Sequence, residues 1–506
     1  MVKRQEIVAL GALLLTLSFV FVDQAYDPGF EAGHRGWCSA NVMGVIERAT
    51  AKNGFVGYTL EYARADGSHD FTYFDRYPVF FSAGMHALLN TIELPRGDQI
   101  HWARQAMNAL YALTLLFAVA LLIEVEVAAG LAVAAVALAG SGTLLVRYRD
   151  MIHFDQAALL GFTGLLWAVA RWYRTRDRRL LLIATGIAVL MGRGYASFAV
   201  LAVLWSVEAV RVLRAARGDL RAALRELSFG APAQACWLAI ALGAACLSYN
   251  ISTEARLRKL PIAEVGIVDS ALRRVALEAR FTPSQIDRLA WPAFMETQAT
   301  RFVDNLLPFA APRVMPGALL PLVVAMIAAT FAIAWLIASR RRELRPPLII
   351  TALAGVLWIF AMRGLTAFHE FTIVFALGAS VLFMLALLRF VPIRVQLLPA
   401  LLACACLAHS TRLRNDELER QPLGAIYTRD FHAIEAALEP GDVIEIRPEP
   451  RKLVPGVPYA VGFLLANQPI ADGVDTPYLV TPQRRNRRQD GVNLTPANQR
   501  IFLFKR

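Results

Sequence analysis

Residues 1–40 read MVKRQEIVALGALLLTLSFVFVDQAYDPGFEAGHRGWCSA, and they join an apolar run to a short polar motif. The apolar run, about residues 6–22, has no small-residue cleavage site before Asp23, so we expect a retained membrane helix rather than a signal peptide. Directly after it, four reactive or aromatic side chains lie within seven residues: Glu31, His34, Arg35 and Trp37. A polar motif at this place is either a connector between two helices or part of a site at the membrane surface.

The composition of the 506-residue chain is that of a membrane protein. Hydrophobic residues make up 57% and charged residues 18%, with a mean hydropathy of +0.46, whereas soluble chains average roughly 45–50% and about 25%. The apolar residues come in blocks of about 18–25, enough to cross a hydrocarbon core of about 30 Å. The net charge of +12 comes from basic residues at the ends of these blocks, which indicates membrane topology rather than nucleic-acid binding. We expect an all-α polytopic membrane protein.

The apolar blocks predict about eleven transmembrane helices. Their approximate ranges are 6–22, 102–123, 125–145, 156–173, 180–192, 195–212, 233–250, 316–338, 347–362, 371–389 and 394–409. Placing the N-terminus inside, with Lys3 and Arg4, puts the arginine-rich short loops inside as well, in agreement with the positive-inside rule. The short inside loop at Glu124–Glu126 is the exception.

Three long segments then lie outside: a first loop (23–100), a second loop (251–315) and a tail. The first loop predicts two amphipathic helices that lie on the membrane surface, because apolar residues recur there at helical spacing in two stripes. The stripes are Val42, Val45, Ile46 and Ala49, and Phe81, Met85, Leu88 and Ile92. The tail contains a Pro-Gly turn, an alternating strand and a closing strand, which predicts a small α+β domain over 410–506 beside a transmembrane domain over 1–409.

Four arginines depart from the positive-inside pattern because they fall in short outer turns: Arg147, Arg149, Arg193 and Arg363. Polar groups at membrane depth are costly and usually functional. Arg193 stands in a glycine-rich break, MGRGYA, between two predicted spans. All eight histidines also fall on the outer side or at outer helix ends. The chemistry of the protein is therefore expected on the outer face.

Several motifs give the chain a resemblance to a known superfamily. They are HRGWCSANVMGVIERA (34–49), DRYPVFFSAGMHAL (75–88), RYRDMIHFDQAALLGF (147–162) and RRLLLIATGIAVLMGRGYA (178–196). Together with the long first outer loop and the outer tail, they resemble the GT-C superfamily, and within it the bacterial relatives of the dolichyl-phosphate-mannose-protein mannosyltransferases. These integral-membrane enzymes transfer sugars from polyprenyl-phosphate donors. One departure is that Ala32-Gly33 stand where relatives often carry acidic residues before the His-Gly motif.

The resemblance implies a site with a carboxylate base for the acceptor hydroxyl, cations that hold the donor phosphate as it leaves, and a groove open to lipid for the prenyl tail. The candidates for the catalytic group are Glu31, Asp27, His34 and Asp155. The candidates for binding the donor phosphate, since a guanidinium binds phosphate oxygens bidentately, are Arg35, Arg147, Arg149, Arg193 and Arg363. The candidates for substrate binding are Asp75, Arg76, Asp150, His153, His369 and Glu370.

The resemblance therefore implies an inverting glycosyltransferase in a bacterial inner membrane, working on the periplasmic side with an undecaprenyl-phosphate sugar and a lipid, glycan or protein acceptor. A transporter or flippase for a lipid-linked or anionic substrate is the alternative, although such proteins usually show internal repeats, and none is visible in this sequence. A scaffold or sensor would leave the arginine and acid clusters without a role. No metal site is predicted, because metal ligands do not occur at a close spacing such as His-x-x-x-His; a divalent cation stays open as a cofactor.

Overall fold

The structure of the protein is a computed structural model that describes most of the chain up to residue 419 and short parts of the tail. The described residues are 2–24, 30, 34–73, 77–91, 94–216, 219–262, 272–276, 281–309, 344–419, 433–434, 436–439, 441–446, 470–472, 476, 478–481, 492–493 and 502–505.

Helices make up most of the described chain. The α-helices are α1 (Val2–Val22), α2 (His34–Glu47), α3 (Phe80–Asn90), α4 (Arg96–Glu124), α5 (Ala129–Gly140), α6 (Thr143–Tyr148), α7 (Phe154–Thr175), α8 (Arg178–Leu190), α9 (Ser197–Ala215), α10 (Leu220–Phe229), α11 (Ala231–Arg258), α12 (Pro283–Leu289), α13 (Trp291–Leu306), α14 (Arg345–Ala361), α15 (Arg363–Thr366), α16 (Leu377–Leu387) and α17 (Leu397–Glu419). Short 3-10 helices at Gly194–Ala196 and Glu370–Ala376 directly precede α9 and α16.

These helices agree with the predicted membrane spans wherever the structure describes them. The predicted span 125–145 is divided between α5 and α6, and the span 371–389 begins with a 3-10 helix. Five helical segments of the described chain are long and apolar enough to cross a membrane by themselves: Lys3–Val22, Gly97–Glu124, Gly194–Ala215, Ala231–Arg258 and Glu370–Leu387. The predicted span 316–338 lies outside the described residues, so the total of eleven stays a prediction.

The centre of the helical part is α5, a run rich in alanine. Residues 132–137 of this helix are fully buried, and α5 packs against α1, α4, α16 and α17. Small side chains let helix backbones approach closely, which is the usual way helices associate in membranes. At the start of α5 the amide of Gly130 donates a hydrogen bond to Oε1 of the buried Gln396 (3.1 Å), which fixes α17 against this core.

The predicted inside loop at Glu124–Glu126, which lacks basic residues of its own, has the charge of Glu124 compensated by two arginines of α7. Glu124 ends α4 at the predicted inner end of that helix, and its carboxylate accepts hydrogen bonds from Arg171 (3.1 Å) and Arg174 (3.4 Å) at the end of α7. The acidic loop therefore carries compensated charge at the same end of the helices as the predicted basic loops.

Strands of the first outer loop and of the tail form one sheet. The strands are β1 (Tyr58–Arg64), β2 (His69–Tyr73), β3 (Ile444–Ile446), β4 (Ile470–Asp472), β5 (Tyr478–Thr481), β6 (Val492–Asn493) and β7 (Phe502–Lys505). Their order is β2-β1-β4-β3-β5-β7-β6, in which β1–β4, β4–β3 and β3–β5 are parallel and the other pairs antiparallel. The predicted strands of the tail are β3 and β7, whereas the hairpin β1–β2 was not predicted. The predicted domain boundary at 409/410 falls inside α17, and the division into two domains stays a proposal.

Helix α2 is enclosed by protein, which corrects the expectation that it lies on the membrane surface. Its apolar residues share one core with α3, α7 and the tail, and this core includes Met43, Ile46, Phe81, Met85, Ile152, Phe154, Ile434, Ile444 and Val480. Its polar face is buried as well, because Arg35 pairs with Asp150 and the hydroxyl of Ser39 accepts a hydrogen bond from the amide of Ile152 (3.2 Å). A helix with polar partners on its second face can be buried on both faces.

The second predicted stripe also differs in detail. In α3 the buried apolar residues are Phe81, Met85 and Leu89, whereas Leu88 is 48% exposed. Ile92, the last residue of the predicted stripe, lies outside the described residues. The buried face of α3 therefore repeats at every fourth residue and is narrower than the sequence stripe indicates.

Candidate active site

A polar cavity of about 430 Å³ lies where α2, the start of α7 and the break between α8 and α9 meet. Its lining residues are Trp37, Cys38, Asn41, Tyr77, His153, Arg193, Arg273, Arg274, Gln285, Gly364, Leu365, Phe368, His369 and Phe371. Three of the site residues predicted from the sequence are in this lining: His153, Arg193 and His369. The cavity is therefore the place at which their predicted roles can be judged.

Arg193 reaches the cavity because two glycines break the chain around it. Gly192 has a left-handed backbone conformation (φ +53°), and a Cβ there would overlap the carbonyl oxygen of Phe154. A Cβ on Gly194 would overlap the last turn of α8. Because only glycine fits both positions, α8 ends in close contact with the start of α7, and Arg193 is buried against Asp155.

Asp155 holds Arg193 and His153 at the floor of the cavity. One carboxylate oxygen lies 2.9 Å from Nε of Arg193, and the other lies 2.9 Å from Nδ1 of His153. Burial alone would lower the pKa of Arg193, but the Asp155 carboxylate outweighs burial and the pKa is raised. Burial lowers the pKa of His153 below its ordinary value, against the opposing effect of Asp155. At neutral pH the floor therefore presents a charged guanidinium and a neutral imidazole.

Arg274 enters the cavity from the second outer loop. Its Nη1 donates a hydrogen bond to the hydroxyl of Tyr195 (3.1 Å), and its Nη2 donates one to the hydroxyl of Tyr77 (3.0 Å). The two phenol rings are stacked, with centroids 5.9 Å apart and 13° between their planes. The guanidinium carbons of Arg193 and Arg274 lie 5.1 and 5.2 Å from the centroid of the Tyr77 ring. Two cations therefore share one phenol ring.

A glycine allows the second outer loop to reach this position. A Cβ on Gly364 would overlap the carbonyl oxygen of Arg273, so the segment 272–276 lies directly on α15. The sequence analysis did not single out Arg273 or Arg274. The positive-inside rule gave no signal for them, because it applies to short loops, whereas the predicted loop 251–315 is long and contains several other basic residues.

Two predicted phosphate ligands, Arg35 of α2 and Arg149, are not in the lining of the cavity and belong to a buried ion cluster instead. Arg35 pairs with Asp150, and Nη1 of Arg104 lies 3.8 Å from the same carboxylate. Arg149 is hydrogen-bonded to Asn415 of α17. The cluster therefore joins α2, α4, the turn before α7 and α17.

The other predicted site residues are dispersed. Arg147 and Arg363 each lie over an aromatic ring, with the guanidinium carbon 6.0 and 4.4 Å from the ring centroid. Glu370 accepts a hydrogen bond from the hydroxyl of Tyr148. The structure does not describe four of the predicted residues or the side chain of a fifth, which are Asp27, Glu31, Asp75, Arg76 and, at the start of α2, His34. Within the described ranges, groups of three or more His, Cys, Asp or Glu side chains arranged to hold a metal ion do not occur.

A second cavity, of about 260 Å³, adjoins the polar one and is lined mainly by apolar residues of α8, α9 and α11. Its lining residues are Tyr77, Pro78, Val189, Tyr195, Phe198, Ile240, Gly243, Ala244, Cys246, Leu247 and Asn250. Tyr77 belongs to the linings of both cavities, and its carbonyl oxygen accepts a hydrogen bond from Asn250 (2.7 Å). The stacked pair of Tyr77 and Tyr195 therefore forms a partition between a polar and an apolar space.

No protein-family model and no curated protein sequence matches the chain. Solved structures do match its fold. The crystal structure of ArnT from Cupriavidus metallidurans bound to undecaprenyl phosphate is similar with a TM-score of 0.57 and 12% identity, over 98% of this chain and 97% of ArnT. The archaeal oligosaccharyltransferase AglB from Archaeoglobus fulgidus, in complex with an inhibitory peptide and a dolichol-phosphate, is similar with a TM-score of 0.50 and 12% identity, over 94% of this chain and 69% of AglB. Both are GT-C glycosyltransferases.

The chain has the GT-C fold. The resemblance carried by the sequence motifs is thereby confirmed at the level of the fold. In this chain the cavity with Arg193 and Arg274 lies beside the first and second predicted outer loops, at the predicted outer ends of the helices. At 12% identity the similarity concerns the fold, and the activity is inferred from the residues of the cavity.

Proposed function

We propose that the protein is a membrane glycosyltransferase that moves a sugar from a polyprenyl-phosphate donor to an acceptor hydroxyl on the outer face of the membrane. The observation that carries this proposal is the junction of a polar and an apolar cavity at Tyr77 and Tyr195, with Arg193 and Arg274 at the junction. A sugar phosphate with a long apolar tail has one end that suits each cavity.

We assign the donor phosphate to Arg193, Arg273 and Arg274. Guanidinium groups stay charged and offer planar pairs of donors to phosphate oxygens. Fixed cations in a site that excludes water stabilise the phosphate as it becomes the leaving group. We assign the prenyl tail to the apolar cavity, whose residues Ile240 and Leu247 on α11 are 50% and 44% exposed. These exposed apolar side chains support a groove that opens toward lipid.

The proposed reaction is a single displacement. The acceptor oxygen attacks the anomeric carbon, the bond between that carbon and the phosphate oxygen breaks, and a carboxylate takes the hydroxyl proton. This path inverts the anomeric configuration. We retain Glu31 as the first candidate for the base and Asp27 as the second, since both precede α2, whose Trp37 lines the cavity. His34, at the start of the same helix, stays a candidate for the catalytic group. We retain Asp75 and Arg76, immediately before Tyr77, as substrate contacts.

For Asp155 we propose a holding role rather than that of the base. Its two oxygens lie against Arg193 and His153, and a carboxylate beside a buried guanidinium is a weak base. His153 and His369 are the proposed substrate contacts of the lining. For Arg35, Arg149 and Asp150 we propose support of α2. Contacts of Arg147, Arg363 and Glu370 with the donor or substrate stay predictions.

The ligands of the similar structures support a lipid-phosphate donor. ArnT was solved with undecaprenyl phosphate, and AglB with a dolichol-phosphate and a peptide. For this chain we propose undecaprenyl phosphate as the carrier and a lipid, glycan or protein as the acceptor. We also propose a bacterial inner membrane, with the N-terminus in the cytoplasm and the cavity and tail in the periplasm.

The test uses the full chain in lipid nanodiscs with radiolabelled sugars on undecaprenyl phosphate and a panel of acceptors. Arg193→Gln is expected to lower the transfer rate about 100-fold or more, which is the usual loss when one group that stabilises developing negative charge is removed. Arg221→Gln is the control, because this exposed arginine lies on α10, and its rate should equal that of the wild type.

Transfer at the wild-type rate by Arg193→Gln would remove the site assignment. The transporter alternative makes a different prediction. It requires that the labelled lipid crosses the bilayer of reconstituted liposomes without loss of its sugar, whereas a glycosyltransferase consumes the donor.

A further inference from the structure

Arg274 is held by two phenols in a geometry that resembles the binding of a phosphate. Its Nη1 and Nη2 each donate to one phenol oxygen, at 3.1 and 3.0 Å. A guanidinium that donates in parallel to two oxygens is also how arginine binds phosphate. We propose that the hydroxyls of Tyr77 and Tyr195 are internal substitutes for phosphate oxygens, which the donor phosphate displaces from Arg274 when it binds. This inference rests on the proposed function and adds a ligand-exchange step to it.

The two phenols are held more firmly than Arg274. The ring of Tyr77 packs against Phe154, with centroids 4.7 Å apart, and the ring of Tyr195 packs against Trp358 at 5.3 Å. The carbonyl oxygen of Tyr77 is fixed by Asn250. Exchange therefore takes place by movement of the long Arg274 side chain, whose stem has several rotatable bonds, from the phenols to the phosphate.

The exchange favours a phosphate that brings further binding energy. A hydrogen bond from Arg274 to a phosphate oxygen joins two opposite charges, whereas one to a phenol oxygen involves only the charge of the guanidinium. Phosphate is therefore the stronger ligand, but part of its binding energy is spent on displacing the two phenols. A phosphate that carries an apolar tail recovers this energy by filling the apolar cavity beside Tyr195. Inorganic phosphate has no such compensation. Tyr77 and Tyr195 therefore lower the affinity for every phosphate by the same factor, and a phosphate with an apolar tail is the one that still binds tightly.

The test measures binding to the full chain in nanodiscs with three probes: farnesyl phosphate, inorganic phosphate and farnesol. Tyr195→Phe removes one competing hydroxyl and keeps the stacked ring. Both phosphates should then bind about tenfold more tightly, the equivalent of one net hydrogen bond, while farnesol should bind as before. Tyr77→Phe should change the affinities in the same direction, and Arg274→Gln combined with Tyr195→Phe should abolish the gain. Arg221→Gln on α10 should bind all three probes like the wild type.

Two results would overturn the inference. Weaker phosphate binding by Tyr195→Phe would make the phenols ligands of the phosphate itself, and unchanged binding by both phenylalanine variants would make them bystanders. Failure of the proposed function looks different, because the wild type would then not bind farnesyl phosphate more tightly than farnesol. If Arg193→Gln weakens the binding of farnesyl phosphate but neither phenylalanine variant strengthens it, the ligand exchange fails and the phosphate site stands.

Discussion

The buried pair of Asp155 and Arg193 allows a stability prediction with a defined size. Asp155→Asn keeps the shape of the side chain but removes the countercharge of a guanidinium that is wholly enclosed. The two side chains are only 1% and 3% exposed, so water does not replace the lost partner. Removal of one member of a buried ion pair typically costs about 3–5 kcal/mol, and we expect the free energy of unfolding of Asp155→Asn to fall by this amount.

A matched control comes from the hairpin of the first outer loop. There Asp70 forms ion pairs with Arg64 at 2.7 Å and with Arg258 at 3.6 Å, and the three side chains are 34%, 50% and 28% exposed. Water screens such a pair, which contributes about 0–1 kcal/mol, so Asp70→Asn should unfold almost like the wild type. The same chemical change is thus made in two ion pairs that differ chiefly in burial.

The assay is equilibrium unfolding of the full chain in mixed micelles with increasing SDS, followed by tryptophan fluorescence. The double variant Asp155→Asn/Arg193→Gln removes the guanidinium together with its countercharge, and it should be more stable than Asp155→Asn alone. The reasoning fails if Asp155→Asn costs no more than Asp70→Asn, or if the two single costs simply add in the double variant.

Three further predictions concern the cavity and the cluster beside it. Gly364→Ala should displace the segment that carries Arg274 and weaken farnesyl phosphate binding at least tenfold. Gly164→Ala on α7, where an added Cβ meets nothing within 4 Å, should bind farnesyl phosphate like the wild type, and equal affinities of the two variants would contradict the packing argument. Burial holds the pKa of His153 below its unfolded value of about 6.5, so between pH 7 and pH 5 the unfolded chain takes up a proton that the folded chain does not. The wild type should therefore lose stability over this range more steeply than His153→Gln. Parallel curves of melting temperature against pH for the two proteins would refute this. Asp150→Ala should lower the melting temperature strongly, since it removes the buried carboxylate that faces both Arg35 and Arg104. A melting temperature equal to that of the wild type would show that the cluster does not hold α2.

The sequence predicted the broad architecture because each relevant signal is local. Apolar length gives a membrane helix, and the flanking arginines give its direction. The position of Arg193 beside a site also had a local signal, since the glycines on either side of it predict a break between two helices. The hairpin of the first outer loop had a weaker signal, because its strands are short and half polar, and its partner strand β4 lies about 400 residues further along the chain.

Some predicted phosphate-binding arginines line the cavity and others do not, for a reason that cannot be read from a single sequence. Arg35 and Arg193 were both predicted phosphate ligands, yet Arg35 of α2 pairs with the buried Asp150 while Arg193 lines the cavity. The difference depends on which partners the fold brings together across more than a hundred residues. Arg274 was missed for the same reason, since its environment consists of Tyr77 and Tyr195 from two other segments.

The parallel pairing of β1 with β4 means that β1 is synthesised long before its partner strand. Residues 62–64 emerge early, and their partners at 470–472 are made about 400 residues later, roughly 20–80 s at usual translation rates. Throughout that interval the edge of β1 that later pairs with β4 has open backbone donors and acceptors on the predicted outer side of the membrane, and open strand edges tend to pair with other chains. A chain cut short before β4 would keep this open edge permanently, which would make it a target for chaperones and proteases.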